Sequence, residues 1–482
     1  MVFNSLAFAG FFIIVFILYY LIGRKSNRLQ NYVLLVASYV FYGFASLKIL
    51  PILVITTVIF YFLGLKIKSA SEDIASRLKT LGVVLGVGLL LYFKYLNFFI
   101  ESFASLFEML GLHTNWHTFN IIMPLGISFF TFKLISYVIE VEHEDIEPSK
   151  DFVQFANYVA FFPCILSGPI DRPNEFLPQL NKKKEFSFEM VNEGIMQFMW
   201  GLFKKVVIAD NCAVVVDSVW GALEYQNGAT LLYTAFIYFF QIYADFSGYS
   251  DMAIGVGKLL GIKVTKNFDH PLFSLNIADY WRKWHISLTK WMTDYVFTPL
   301  NFIFRRKGNF GMVIAIAINF LLVGLWHGAN WVYALIGLLQ VVWFLPLIIS
   351  GRFMNNEEIQ VTKVGLPTVK CFGKIVVSYV MIMINGILFR SENLTDFWLY
   401  IKRMCTKSII SLPSFAGEVN TCAILSLLFI LFFVVLEWIS RKQDFFLQNS
   451  KNIFVRCFFL AFYVITIYYL GESSDAFIYF QF

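Results

Sequence analysis

Polar residues in this chain punctuate long apolar runs. Residues 6–22 form a first apolar stretch, followed by Arg24, Lys25 and Arg28. A helix of about 20 apolar residues spans a bilayer, so this stretch reads as a membrane span. Similar stretches recur near 31–47, 51–65, 81–99, 229–246, 374–389, 421–438 and 453–470. From Gly308 to Ser350 there is no charged residue, which leaves room for two spans turning at Gly328, Ala329 and Asn330. The pattern predicts an all-α polytopic bundle of about 11–13 spans, with broken and interfacial helices besides. The segment Lys66–Lys79 is basic, whereas Glu101–Asn120 lacks Lys and Arg and reads as an outer loop. The positive-inside rule then puts the N-terminus outside. Nothing basic precedes the first span and no small-residue cleavage site follows it, so it reads as a retained span, not a signal peptide.

Several runs are interrupted in ways that ordinary spans are not. Pro124 and Gly126 open the run 123–141 with a broken start, and Lys133 sits inside it, so this helix must face protein or a cavity. Residues 161–180 carry four prolines, and such backbone is tolerated at membrane depth only when buried in protein or lining a cavity. A helix near 188–220 holds Lys204 and Lys205 and is expected to lie partly in the interface. Asp245 and Asp251 read either as a proton relay or as caps of broken helices. Gly255, Gly257 and Gly261 follow no strand, so they point to close helix packing and not to a dinucleotide loop.

The stretch from Asp279 to Trp331 concentrates the candidate chemistry. On a 3.6-residue period Trp281, Trp284, Leu288, Trp291, Met292 and Tyr295 share one face, while Lys283, Ser287, Lys290 and Asp294 share the other. This predicts one amphipathic helix in the membrane interface, with His285 at the edge of its apolar face. Arg305, Arg306 and Lys307 anchor the next span on the cytoplasmic side, and about twenty residues of helix carry His327 some 30 Å from them. His285 is thereby expected near the inner interface and His327 near the midplane or in the outer half. A histidine within a membrane is costly and points to function. The plainer alternatives are an interfacial His285 that snorkels, and a His327 that binds free carbonyls at a helix end. As a neutral imidazole, His327 is the candidate general base, with Asn330 or Trp331 beside it or at a developing oxyanion, and His285 the holder of the donor or a relay. Arg282, Lys283 and Lys290 read as contacts to donor phosphates or as interfacial anchors.

Composition supports the membrane reading. Hydrophobic residues make up 58% of the 482, aromatics 19% and charged residues 15%, against about 25% charged in soluble domains. A net charge of +6 fits an anionic lipid surface and gives no case for nucleic acid. The six cysteines form no C-x-x-C pair and read as small buried hydrophobes. His113 and His117 stand four apart but lack a third ligand, so no metal is expected.

DFSGYSDMAIG (245–255), NFDHP (267–271), DYWRKWHISLTKW (279–291) and GLWHGANW (324–331) resemble the membrane-bound O-acyltransferase family, nearest to its alginate O-acetylation branch. Residues 167–172 are nearer the D-alanyl exporter branch, whereas 175–180 and the closing DAFIYFQF are nearer the alginate one. The resemblance implies a single membrane domain over 1–482, with a catalytic core at about 123–350 and C-terminal spans over 374–482. It carries over His285 and His327 as the motif histidines and places Trp281, Arg282, Trp284, Asn330 and Trp331 about the substrates. It implies an acetyl or other short acyl group taken from a cytoplasmic donor, acetyl-CoA, with no bound cofactor. The group passes through a tunnel in a bacterial inner membrane to hydroxyls of an extracytoplasmic polysaccharide or wall polymer. An SGNH-like extracytoplasmic partner protein is expected. Alternatives are D-alanyl transfer to teichoic acid and a non-catalytic transporter or export subunit. The chain departs from the alginate pattern at Ile336, Gly337 and Gln340, where related members often carry W-G-x-x-H, and at 301–308, where a glycine-rich loop is usual.

Overall fold

The computed structural model describes residues 1–112, 116–472 and Phe477, which leaves His113 and most of the closing DAFIYFQF outside the described residues. His117 is exposed. The described residues are helical throughout, and the one extended pairing among them is an isolated bridge between Val361 and Pro367. Eight helical stretches among them are long and apolar enough to cross a membrane. This is fewer than the span count read from the sequence. The Ile127–Glu142 and Gly228–Leu259 helices are largely enclosed by protein, so they need no lipid-compatible surface and carry Lys133, Gln241, Asp245 and Asp251.

The chain divides into two compact units, 1–195 with 253–265, and 196–252 with 266–482. In the first, the Leu6–Leu21 helix starts where the Ser5 side chain accepts the Phe8 N–H at 3.1 Å. The Asn27–Ala45 and Leu50–Ser69 helices follow. The next helical run, Glu72–Met109, is interrupted only by a π-helical turn at Leu91–Tyr95, so much of the expected outer loop at 101–120 is helix. Gly126 opens the Ile127–Glu142 helix at φ 69°, and a Cβ there would lie 2.0 Å from the Ile165 carbonyl oxygen. Only glycine combines that backbone with that approach. Lys133 is buried as its position requires: its Nζ donates to the Tyr158 carbonyl at 3.2 Å and lies over the Tyr158 ring. The proline-rich 161–171 is likewise buried without regular structure.

The second unit begins at Met196, within a long helical run from Phe188 that takes a π-helical turn at Lys204–Ala209 and continues to Trp220. Lys204 and Lys205 are buried, not interfacial as their charge predicts, because carboxylates of the Gly228–Leu259 helix meet them. Downstream, the Gly308–His327 and Trp331–Ile349 helices pack backbone to backbone. A Cβ on Gly324 would lie 2.1 Å from the Tyr333 carbonyl oxygen, and one on Gly337 2.2 Å from that of Phe320. The Val369–Arg390, Gly417–Ser440 and Ile453–Leu470 helices complete the unit. Cys164, Cys212, Cys371 and Cys422 are buried as expected, but Cys405 and Cys457 are exposed.

Candidate active site

The amphipathic helix expected over 279–295 is broken in the middle. Asn276 caps a short helix, Ile277–Lys283, by accepting the Asp279 N–H at 2.9 Å. A second helix begins at Ile286. His285 stands between them in the left-handed conformation, φ 45° and ψ 53°, where a non-glycine residue is uncommon and strained. The break is held from outside. The Asn267 carbonyl accepts the Ile286 N–H at 2.9 Å, and Asn267 Oδ1 accepts the Ser287 N–H at 3.2 Å and the Ser287 hydroxyl at 2.8 Å. These are the donors that the start of a helix leaves without intrahelical partners. Asp269 N–H also donates to the Lys283 carbonyl at 3.0 Å, so the 267–269 loop clasps both sides of the break. Asp269 is pinned in turn. The hydrogen bond from His270, and then the Lys266 ammonium at 2.9 Å, hold its carboxyl well below the usual carboxylate range.

The break turns His285 inward. Its ring is 1% exposed, with Nδ1 3.2 Å from Asn267 Oδ1 and its face met by the Phe246 ring at 4.7 Å. The Trp326 indole lies 5.5 Å from the same ring, and the His327 ring lies 4.8 Å from that indole. The two motif histidines therefore flank one tryptophan. The two rings stand on either side of a single side chain, closer than their expected separation implies. The left-handed turn at His285 replaces the single helix expected over 279–295 with two short ones. His327 ends its helix as predicted, half-buried, with the Phe389 ring edge-on at 5.2 Å.

The candidate catalytic, substrate and relay residues put forward from the sequence all fall in the second unit, but they do not form one cluster. Trp284 is buried, stacked on Tyr280 at 5.4 Å and edge-on to Phe268. Trp281 Nε1 donates to the buried Gln340 Oε1 at 3.1 Å, so the position that lacks the third histidine orients a motif tryptophan. Arg282 is exposed and donates to the Asn355 carbonyl at 3.2 Å. Asn330 caps the Trp331–Ile349 helix through its Oδ1 and donates through Nδ2 to the Glu392 carbonyl at 3.1 Å, while Trp331 is 63% exposed. Ser287, expected on the polar face, is buried against Asn267. Asp245 and Asp251 lie within an unbroken helix and so do not cap broken ones. Asp251 accepts from Lys204 at 2.5 Å and from Gln197 at 2.8 Å, and Asp245 accepts from Lys205 at 2.7 Å. The sequence reading did not single out Trp326, Asn267 or Phe389. The first two lie inside the quoted motifs GLWHGANW and NFDHP, but nothing in their spacing distinguishes them from packing residues. Among the described residues no group of three His, Cys, Asp or Glu side chains is arranged to hold a metal.

The arrangement provides two imidazoles on either side of an indole, with the Phe246 and Phe389 rings packed against them. Such a site suits proton transfer with water kept away. Comparison with known proteins agrees with this chemistry. The chain is 36% identical over 397 residues to a probable alginate O-acetylase of Pseudomonas putida, covering 82% of this chain and 78% of that one. It is 31% identical over 414 residues to a peptidoglycan O-acetyltransferase of Helicobacter pylori, covering 80% and 76%. It is 32% identical over 240 residues to a teichoic acid D-alanyltransferase of Bacillus subtilis, covering 46% and 58%. The membrane-bound O-acyltransferase family matches residues 34–391, which take in both histidines and the whole of the broken-helix site. On these grounds the chain is a multi-pass membrane enzyme that belongs to the membrane-bound O-acyltransferase family.

Proposed function

We propose that this enzyme moves an acetyl group from cytoplasmic acetyl-CoA to hydroxyls of an extracytoplasmic polysaccharide or wall polymer. The observation that carries the reading is the pairing of His285 and His327 across Trp326. His327 is half-buried and accessible to an acceptor, whereas His285 is enclosed. In the proposed step His327 takes the proton of the acceptor hydroxyl as its oxygen attacks the thioester carbonyl. The C–O bond of the ester forms, the C–S bond breaks, and the proton passes to the leaving thiolate. His285 supports the charge that develops on the neighbouring imidazole or relays its proton. Acetyl is favoured over D-alanyl because the O-acetylating relatives align over 80–82% of this chain and the D-alanyl ones over 46–57%.

The direction follows from the basic segments. Arg305, Arg306 and Lys307 are exposed at the end of the Gly308–His327 helix remote from His327. If basic segments face the cytoplasm of a bacterial inner membrane, the N-terminus is outside and His327 faces the acceptor side. The experiment is reconstitution in vesicles with radiolabelled acetyl-CoA or a D-alanyl thioester carrier enclosed, and polymer with a secreted SGNH-type protein outside. Label that reaches external polymer hydroxyls only from acetyl-CoA supports the reading. Transfer from the D-alanyl carrier alone overturns it.

A further inference from the structure

We propose that Asn267 is a positioning residue of this site: it holds the His285 ring in one tautomer, with the proton on Nδ1 and the lone pair on Nε2. The inference rests on the reading of the two histidines as the acyl-transfer site. Asn267 belongs to the NFDHP segment, 18 residues upstream of His285, and its side chain is fully buried.

The hydrogen-bond pattern fixes which end of the amide is which. A backbone N–H can only donate, and that of Ser287 meets Asn267 at 3.2 Å, so the atom it meets is the oxygen. The amide nitrogen then faces Ser250 Oγ at 3.4 Å, which accepts. Carbonyl oxygen carries no hydrogen, so the His285 nitrogen 3.2 Å from it must be the donor. In a neutral imidazole this leaves the lone pair on Nε2. The ring cannot readily rotate out of this arrangement, because Phe246 and Trp326 close on it and its backbone is locked in the left-handed turn that Asn267 also caps.

The choice of an amide matters as much as its place. A carboxylate at the same point would favour imidazolium and would bury a second charge at considerable cost. The neutral amide orients the ring and leaves it uncharged. His327 is a titratable side chain that faces His285 across the Trp326 indole.

The test combines a spectroscopic readout with kinetics. Full-length protein with ¹⁵N-labelled histidine is placed in lipid bilayers and examined by solid-state NMR, with the His285→Ala spectrum subtracted to isolate one ring. The expected signals are a protonated Nδ1 and an unprotonated Nε2. The reverse pattern overturns the proposal. In parallel, Asn267→Ala is expected to lower kcat by about 10- to 100-fold with little change in KM, as loss of an orienting partner does. Asn267→Asp keeps the shape and the acceptor oxygen. It is expected to recover part of the rate while moving the acid limb of the pH–rate profile up by about one unit or more. A wild-type profile for Asn267→Asp also overturns the proposal. If Asn267→Ala does not fold, the wild-type spectrum and Asn267→Asp carry the test. His285→Ala and His327→Ala are assayed alongside. Wild-type rates in those two would remove the site itself, whereas their loss beside normal Asn267 variants would remove this proposal alone.

Discussion

Lys205 and Asp245 form an ion pair at 2.7 Å in which both side chains are 2% exposed. Asp210 makes a second contact to the same ammonium at 2.9 Å, and Lys204 pairs with Asp251 one position along. Charges this deep persist only when paired, since desolvation costs several kcal/mol per ion. Removing Asp245 breaks this buried network and leaves the Lys205 ammonium to Asp210. Asp245→Ala is expected to destabilise the protein by about 3–5 kcal/mol. Thermal unfolding in detergent or nanodiscs checks this. A variant with normal stability and slow turnover would instead identify Asp245 as part of a proton path.

His327→Ala is expected to lower acyl transfer by about 10² to 10⁴, the usual cost of losing a general base. His285→Ala is expected to cost less, because the enclosed ring acts through its neighbour. Transfer from labelled acyl-CoA, in protein shown to insert and elute as a single species, measures both. A larger loss from His285→Ala would exchange their roles.

The close approach of the Gly308–His327 and Trp331–Ile349 helices sets where His327 stands. A methyl group on Gly337 would fall 2.2 Å from the Phe320 carbonyl, and backbone cannot yield as a flexible side chain does. Gly337→Ala is expected to cost about 1–3 kcal/mol and to slow transfer as the helices separate. Gly373→Ala makes a control, since a Cβ there meets nothing within 4 Å. Equal melting temperatures and rates for the two variants would contradict this.

Much of this was legible in the chain, and the rest was hidden for physical reasons. Uncharged runs locate spans because lipid tolerates little else, and the bounds of the Gly308–His327 helix follow from one such run. Lys133 within an apolar run reads correctly as facing protein, since a lone ammonium has no other tolerable place. The break at His285 was not legible. The periodicity of Trp281, Trp284, Leu288 and Trp291 continues across it, and most of these side chains are buried on either side. What breaks the helix is Asn267, a residue distant in sequence that supplies caps no local pattern records. The burial of Lys204 and Lys205 was missed for a related reason. Sequence shows a pair of charges, but only tertiary structure shows the carboxylates that neutralise them.

Acceptor use gives a further prediction. An extracytoplasmic protein is expected to present the polymer near 328–331, where the described chain offers only the short turn between the Gly308–His327 and Trp331–Ile349 helices. Vesicles with acetyl-CoA inside and polymer outside should transfer little until a secreted SGNH-type protein is added. Efficient transfer by this chain alone would contradict an obligatory partner.

The central claim is that His285 and His327 serve one site across Trp326, and a double-mutant cycle on transfer rate tests it most directly. Residues that act as a unit show strongly non-additive losses. His285→Ala combined with His327→Ala is expected to be no slower than the worse single variant, within about threefold. Losses that multiply would show two independent sites, and a wild-type rate in either single variant would remove that histidine from the chemistry.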